Sequence, residues 1–314
     1  MAAKKRDFSG QLTVMAQKRL AKEKQKLEED KNELNDCRIF PLWGDELHKA
    51  IALVVGPQDT PYQHGFYFFD VQFPDDYPMQ PPHVQFKTGD GRVRFNPNLY
   101  VEGKVCLSIL GTWAGPSWTT SCQLRSVLLS IQSLLHEHPI QNEPGHEKES
   151  GKNDKVYSEI IAYENIAVSV VKMLRQTPPK FQAFRPQMRR IFLESFESYL
   201  KTLEAYRDKE GTSVSSPIWG FKVQYKTKAL VAELKVLRKI LLKEEAESET
   251  AMAGLAGEGV GAARAESSNA SAASTGAGTG SLHGKSISAS APSGKRRDDA
   301  DEDSASRKRI RTSV

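Results

Sequence analysis

The sequence predicts an α+β fold, a small antiparallel meander sheet flanked by an N-terminal helix and by packed C-terminal helices. Three observations carry this. Runs rich in β-branched and aromatic residues, bounded by Gly and Pro, follow one another at Leu47–Val55, Phe66–Phe73 and His83–Lys87. Sequential strands joined by short loops pair as a meander. Helical apolar spacing occupies the chain on either side of them.

Residues 12–35 alternate basic and acidic groups around Leu12, Met15, Leu20, Leu27 and Leu34, without Gly or Pro, and read as one surface helix. Ile39 to Trp43 reads as a connector. The three strands follow, with Arg92–Phe95 a candidate fourth. The Pro-rich stretch Tyr77–Pro82 is unsuited to a sheet interior and is expected as an exposed, stiff loop. Ser121–Leu135 places Leu124, Val127, Leu128, Ile131, Leu134 and Leu135 on one stripe, which predicts a helix packed on the sheet with Ser121 as N-cap. Two more helices are expected around 155–175 and 186–208, separated by the Thr177-Pro178-Pro179-Lys180 break.

Beyond Gly211 the pattern changes. The expected organisation is a basic arm at 1–11, a main domain at 12–210, a linker at 211–221, an amphipathic helix at 222–247 and a disordered tail at 248–314. Leu230, Leu234, Leu237 and Leu241 are heptad-like but too few for a coiled coil, so this helix is expected to dock back onto the domain. Residues 248–294 are Gly, Ala and Ser with hardly a bulky side chain.

A chain of 314 residues allows one large domain or two small ones plus tails. No apolar run approaches the ~20 residues of a bilayer span, and no signal-peptide core follows the basic start. Three cysteines, Cys37, Cys106 and Cys122, without a Cys-x-x-Cys pair suit a reducing compartment and argue against a zinc ribbon or disulfide framework. There is no phosphate-binding Gly-x-x-x-x-Gly-Lys segment, so no nucleotide cofactor is expected. The formal charge of +5 is uneven, with Lys4, Lys5, Arg6, Lys18, Arg19, Lys22, Lys24 and Lys26 against Asp7 and Glu23 in the first 26 residues. Nucleic-acid binding or a solvated helix face is the first reading of such a patch, but no base-stacking platform or groove-reading motif accompanies the charges.

The chemistry-bearing stretch is residues 94–110, RFNPNLYVEGKVCLSIL. Cys106 lies eight residues after Asn98, behind an Asn-Pro-Asn turn. A thiol accepts an acyl group as a thioester, and a neighbouring carboxamide donates hydrogen bonds to the oxyanion formed on attack. The competing account is a structural cysteine beside a turn. A cysteine protease needs a histidine base, for which His64, His83, His136 and His138 are available, but no protease signature surrounds the thiol. His136, His138 and His146 are better read as loop histidines than as metal ligands, and no metal is expected. Cys37 and Cys122 have no motif around them.

With GPQDTPYQHGFYFFDVQFPDDYPMQPPHVQF upstream (56–86) and GTWAGPSWTTSCQLRSVLLSIQSLLHEHPIQNEPGHE downstream (111–147), the chain resembles the ubiquitin-conjugating enzyme family. The landmarks are Gly56-Pro57, Thr60-Pro61-Tyr62, Phe73-Pro74, Tyr77-Pro78, Pro81-Pro82, Asn98, Cys106 and Trp118, in the family's order across roughly residues 12–175. FNPN in place of His-Pro-Asn, the wide loop GTWAGPSW, and Asn142-Glu143-Pro144-Gly145 resemble the Z-type members. The resemblance implies the family's fold and its role: ubiquitin or a ubiquitin-like modifier passes from an activating enzyme to Cys106, then to a substrate lysine or a ligase.

By the same resemblance Asn98 serves the oxyanion, Glu143 faces the incoming amine and Ser108 lines the site. Asn96 replaces the family's usual His. Lys18, Arg19 and Lys22 are implied to contact the activating enzyme. Met79, Thr119 and Thr120 are implied to meet ligases. Met79 stands where many ligase-binding relatives have Phe, and Thr119-Thr120 where Pro-Ala is common. The rival accounts are a non-catalytic binding module of the same pathway and a nucleic-acid-binding protein. In the tail, 295–297 and 307–311 form a bipartite basic pattern around an acidic spacer, consistent with cytoplasmic and nuclear localisation. The final Thr-Ser-Val resembles a ligand for PDZ-type domains.

Overall fold

The computed structural model describes residues 7–267, with side chains to 247. The first six residues of the basic arm, the tail from 268, its two basic clusters and the final Thr-Ser-Val lie outside the described residues.

A helix α1 (Val14–Glu29), capped by Thr13, ends at Asp30, and a short α2 (Lys31–Asp36) follows. The single helix expected over 12–35 is thus two, because Asp30 leaves helical geometry while its carboxylate holds Lys26 at 2.7 Å. Four strands then form an antiparallel meander: β1 (Ile39–Trp43), β2 (Lys49–Val55), β3 (Phe66–Gln72) and β4 (His83–Phe86). β1 corrects the expected connector. It pairs with β2 from Ile39↔Val54 to Trp43↔Ala50, and its internal Pro41 is tolerated because it is an edge strand. The candidate strand Arg92–Phe95 is instead a turn: the Asp90 carboxylate accepts the N–H groups of Arg92 at 3.0 Å and Val93 at 2.9 Å.

Within the Pro-rich loop only the tip is exposed. Tyr77 and Pro78 are buried, and Met79 projects. α3 (Leu124–Ser133) starts later than expected, since Gln123 and not Ser121 caps it by a reciprocal pair of bonds with Ser126. α4 (Lys152–Glu164) runs into a wider π-helical stretch at Asn165–Lys172 and ends as α5 (Met173–Arg175). In the widened turn, buried Asn165 accepts the Tyr67 hydroxyl at 2.6 Å and donates to Gln63 O at 2.9 Å. Then come α6 (Arg185–Glu194) and α7 (Phe196–Glu204), parted at Ser195 where one helix was expected.

The expected linker is a folded hairpin. β5 (Ser213–Ser215) pairs with β6 (Lys222–Gln224), and Ile218 and Phe221 in its turn pack on the core. α8 (Thr227–Ser267) starts later and ends later than the expected 222–247. The extension past 247 corrects part of the expected disordered tail; the alanines of 251–265 favour helix intrinsically, against the glycines interleaved with them.

The sheet is buried on both faces. On one, Ala50, Ala52, Val54, Tyr67 and Phe69 meet Ala16, Leu20 and Leu27 of α1 and Leu124, Val127 and Leu128 of α3. On the other, Ile51, Leu53, Val55, Phe66 and Phe68 meet α6, α7 and α8. Leu234 and Leu241 of α8 are fully buried there, so the last helix does dock back, and Arg185 on α6 forks onto Glu244 at 2.7 and 3.2 Å. Phe68 stacks on Phe181 at 4.6 Å between centroids. No helix among the described residues is long and apolar enough to cross a membrane.

Candidate active site around Cys106

The chain from Asn96 to Cys106 folds back on itself through bridges Asn96↔Leu99 and Leu99↔Val105. The Cys106 N–H donates to Asn98 O at 2.9 Å, and the Asn98 side-chain amide donates to Cys106 O at 2.8 Å. Two residues eight apart in sequence are therefore clasped by both main chain and side chain. An amide nitrogen carries two hydrogens, so one remains for a developing oxyanion. The Asn98 carbonyl Oδ1 is buried without a partner among the described residues.

Asn96, the departure from the family's usual His, is the hub beneath. Its amide donates to the Tyr62 hydroxyl and to Leu134 O, both at 2.8 Å, and its Oδ1 accepts Asn98 N–H at 2.9 Å. Asn142 reaches the same Leu134 O at 3.0 Å and Asn96 Oδ1 at 3.4 Å. The local pattern is thus closed with an amide where an imidazole is usual.

The thiol is less accessible than an acyl carrier was expected to need: Cys106 is only 1% exposed. Burial pushes it above the ordinary thiol range, opposed by the charges of Lys104 and Arg94 and by a hydrogen bond with Tyr100. Ser108, two residues on, opens a short 3-10 turn (Ser108–Leu110). It lies against Gly115 of the wide loop, where a Cβ would come within 3.0 Å of Ser108 Cβ and φ is +130°. Only glycine suits both the backbone and the close approach there.

Glu143 ends the 3-10 turn Pro139–Asn142 and is half-buried. No hydrogen bond joins it to Cys106 or Asn98. Its charge is felt instead by buried Tyr157, whose hydroxyl donates to Arg94 O at 2.8 Å. The sequence reasoning missed Arg94, Tyr100 and Trp219. The Arg94 guanidinium lies 3.7 Å over the Tyr100 ring and 3.9 Å over the Trp219 ring. The signal was a Trp and a Phe inside a supposed linker, an unusual place for bulky aromatics.

Of the residues expected at the partner surface, all but one are exposed. Lys18, Lys22, Met79, Thr119 and Thr120 are exposed. Arg19 is not free: it bonds Glu23 at 2.5 Å and donates to Cys122 O at 2.8 Å. Trp118 Nε1 donates to Pro78 O at 2.8 Å, which fixes Thr119 next to the loop that carries Met79. Among the described residues no group of three or more His, Cys, Asp or Glu side chains is arranged to hold a metal.

Residues 19–164 match the family model described as ubiquitin-conjugating enzyme. The chain is 39% identical over 217 residues to ubiquitin-conjugating enzyme E2 Z of Homo sapiens, covering 67% of this chain and 61% of that protein. It is 40% identical over 207 residues to the E2 Z of Xenopus tropicalis, covering 65% of this chain and 66% of that one. It is 40% identical over 202 residues to probable ubiquitin-conjugating enzyme E2 25 of Arabidopsis thaliana, covering 61% of this chain and 32% of that relative. The match spans about three fifths of the length of the human relative. With the meander sheet, the Asn98–Cys106 clasp and these similarities, the chain belongs to the ubiquitin-conjugating enzyme family, in its Z-type branch.

Proposed function

We propose that this chain carries ubiquitin, or a ubiquitin-like modifier, as a thioester on Cys106. The observation that supports it best is the amide of Asn98 held beside Cys106, 2.8 Å from its carbonyl oxygen, inside the matched region. The Cys106 thiolate attacks the thioester carbonyl of the modifier on an activating enzyme. A new C–S bond forms, the old one breaks, and the activating enzyme's thiol leaves with the proton. Exchange of one thioester for another is nearly isoenergetic, so access to the thiol matters more than strong activation. A substrate amine, or a ligase thiol, then attacks the same carbonyl. A C–N bond (or a new C–S bond) forms, the C–S bond to Cys106 breaks, and Cys106 leaves as the thiol with the proton lost by the attacking group.

Asn98 donates to the oxyanion of the second step. Glu143, whose charge acts on Tyr157, is the acidic group facing the amine, and Ser108 lines the floor. Lys18, Lys22, Met79, Thr119 and Thr120 present the surface for activating enzyme and ligases, with Arg19 holding it from below. The basic clusters of the tail support a nuclear as well as a cytoplasmic address, tested by imaging fusions with and without residues 295–311.

The test is charging with ubiquitin, ATP and each candidate activating enzyme, read on a non-reducing gel. A thiol-sensitive adduct absent in Cys106→Ala is the expected result. No adduct with any activating enzyme or modifier overturns the reading and favours a binding module.

A further inference from the structure

Resting on the carrier role of Cys106, we propose that the β5–β6 hairpin is a working part of the site, with Trp219 a positioning residue that clamps Arg94 onto Tyr100 and so holds Tyr100 and the Arg94 charge against the thiol. The clamp is built from two segments far apart in sequence. Arg94 precedes the Asn-Pro-Asn turn and Tyr100 follows it, while Trp219 arrives from the hairpin more than a hundred residues later. The guanidinium is sandwiched between two rings at 3.7 and 3.9 Å. Its Nη2 donates to Pro97 O at 2.6 Å, while Nε is buried without a hydrogen-bond partner among the described residues. On that side the rings alone hold the cation in place.

Trp219 is itself held under strain. Its φ of 58° is a left-handed conformation, uncommon for a bulky side chain. The turn is closed around it by Ser216 N–H donating to Phe221 O at 2.8 Å and by the Ser216 hydroxyl donating to Ile218 O at 2.7 Å. Ile218 and Phe221 pack on the core while Trp219 stays 40% exposed, with Tyr157 edge-on at 6.0 Å. A turn serving only to link β5 to β6 needs no exposed tryptophan in this conformation.

The groups that favour the thiolate against its burial are Lys104 and Arg94 by charge and Tyr100 by a hydrogen bond, while Trp219 rests on Tyr157, on which the Glu143 charge acts. Without Trp219 the guanidinium swings into solvent, its charge no longer favours the thiolate, and Tyr100 loses its backing. Acidity of Cys106 therefore falls.

The experiment is the pH profile of iodoacetamide alkylation of the full chain, in a Cys37→Ser, Cys122→Ser background so that Cys106 alone reacts. Trp219→Ala is expected to raise the midpoint by about half a pH unit, slowing alkylation near neutral pH about threefold. Trp219→Phe, which keeps a ring over Arg94, is expected to stay at the parent midpoint. A midpoint unchanged in Trp219→Ala overturns the proposal, as does an equal displacement in Trp219→Phe. Alkylation needs neither modifier nor activating enzyme, so failure of this proposal and failure of the carrier reading are separate results.

Discussion

The Glu23 carboxylate on α1 accepts the Tyr77 hydroxyl at 2.7 Å, joining the first helix to the root of the loop that presents Met79. The same carboxylate takes Arg19 Nε at 2.5 Å and the Leu124 N–H at 3.0 Å, at the start of α3. Glu23 is 2% exposed, so one buried charge ties together three elements of the expected partner surface. Removing it by Glu23→Ala leaves three donors unpaired and is expected to destabilise the protein by about 3–5 kcal/mol, read as a fall in thermal midpoint. Glu23→Gln keeps the shape and part of the bonding and is expected to lose less.

Asn98→Ala and Asn98→Asp separate holding from catalysis. Both remove the amide donor, and Asp restores the shape. Transfer to a lysine acceptor is expected to slow by roughly 10²–10³ in both, the usual cost of losing one oxyanion donor. Charging of Cys106 is expected to fall far less. Single-turnover discharge of preformed thioester is the measurement, and equal losses in charging and discharge assign Asn98 to the fold alone.

His64 supplies a pH dependence. Burial first, and the Arg38 cation second, hold its pKa down at about 4, and Arg38 Nη1 donates to its Nδ1 at 3.0 Å. The unfolded chain binds this proton near pH 6.5 while the folded chain does not. Stability from His64 is thus present above pH 6.5 and lost as pH falls from there towards 4. A thermal midpoint followed from pH 7 to 4.5 is expected to drop less in His64→Asn, which tolerates the observed φ of 58°.

The packing of α8 predicts that it cannot be trimmed as a tail. Leu234→Ala opens a cavity in the second core and is expected to cost about 2–5 kcal/mol. A chain ending at residue 210 is expected to aggregate, because Phe68, Phe184 and their neighbours lose their cover. A well-folded, monomeric truncation by size-exclusion chromatography would contradict this.

Much of this was legible in the sequence. The strand runs of β2, β3 and β4, the α3 stripe, the leucines of α8 and the Asn98–Cys106 spacing all announce themselves through local periodicity or turn chemistry. What escaped was set by partners far along the chain. β1 carries a proline and is recognisable only once β2 is there to pair with it. Arg19 reads as a surface cation until Glu23 and the Cys122 carbonyl are seen to claim it. Glu143 sits at the expected turn, yet the group its charge is seen to act on is Tyr157, contributed by α4. Trp219 is the plainest case, since its role exists only where Arg94 and Tyr100 meet it.

The sheet buried on both faces has a further consequence. A two-layer protein of this size would leave one broad, flat sheet surface open to visitors. Here the chain has already occupied it with its own C-terminal half. Visitors are left with rims, loop tips and helix flanks. These are smaller footholds, and they favour brief engagement over lasting embrace, as the carrier role proposed for Cys106 would need.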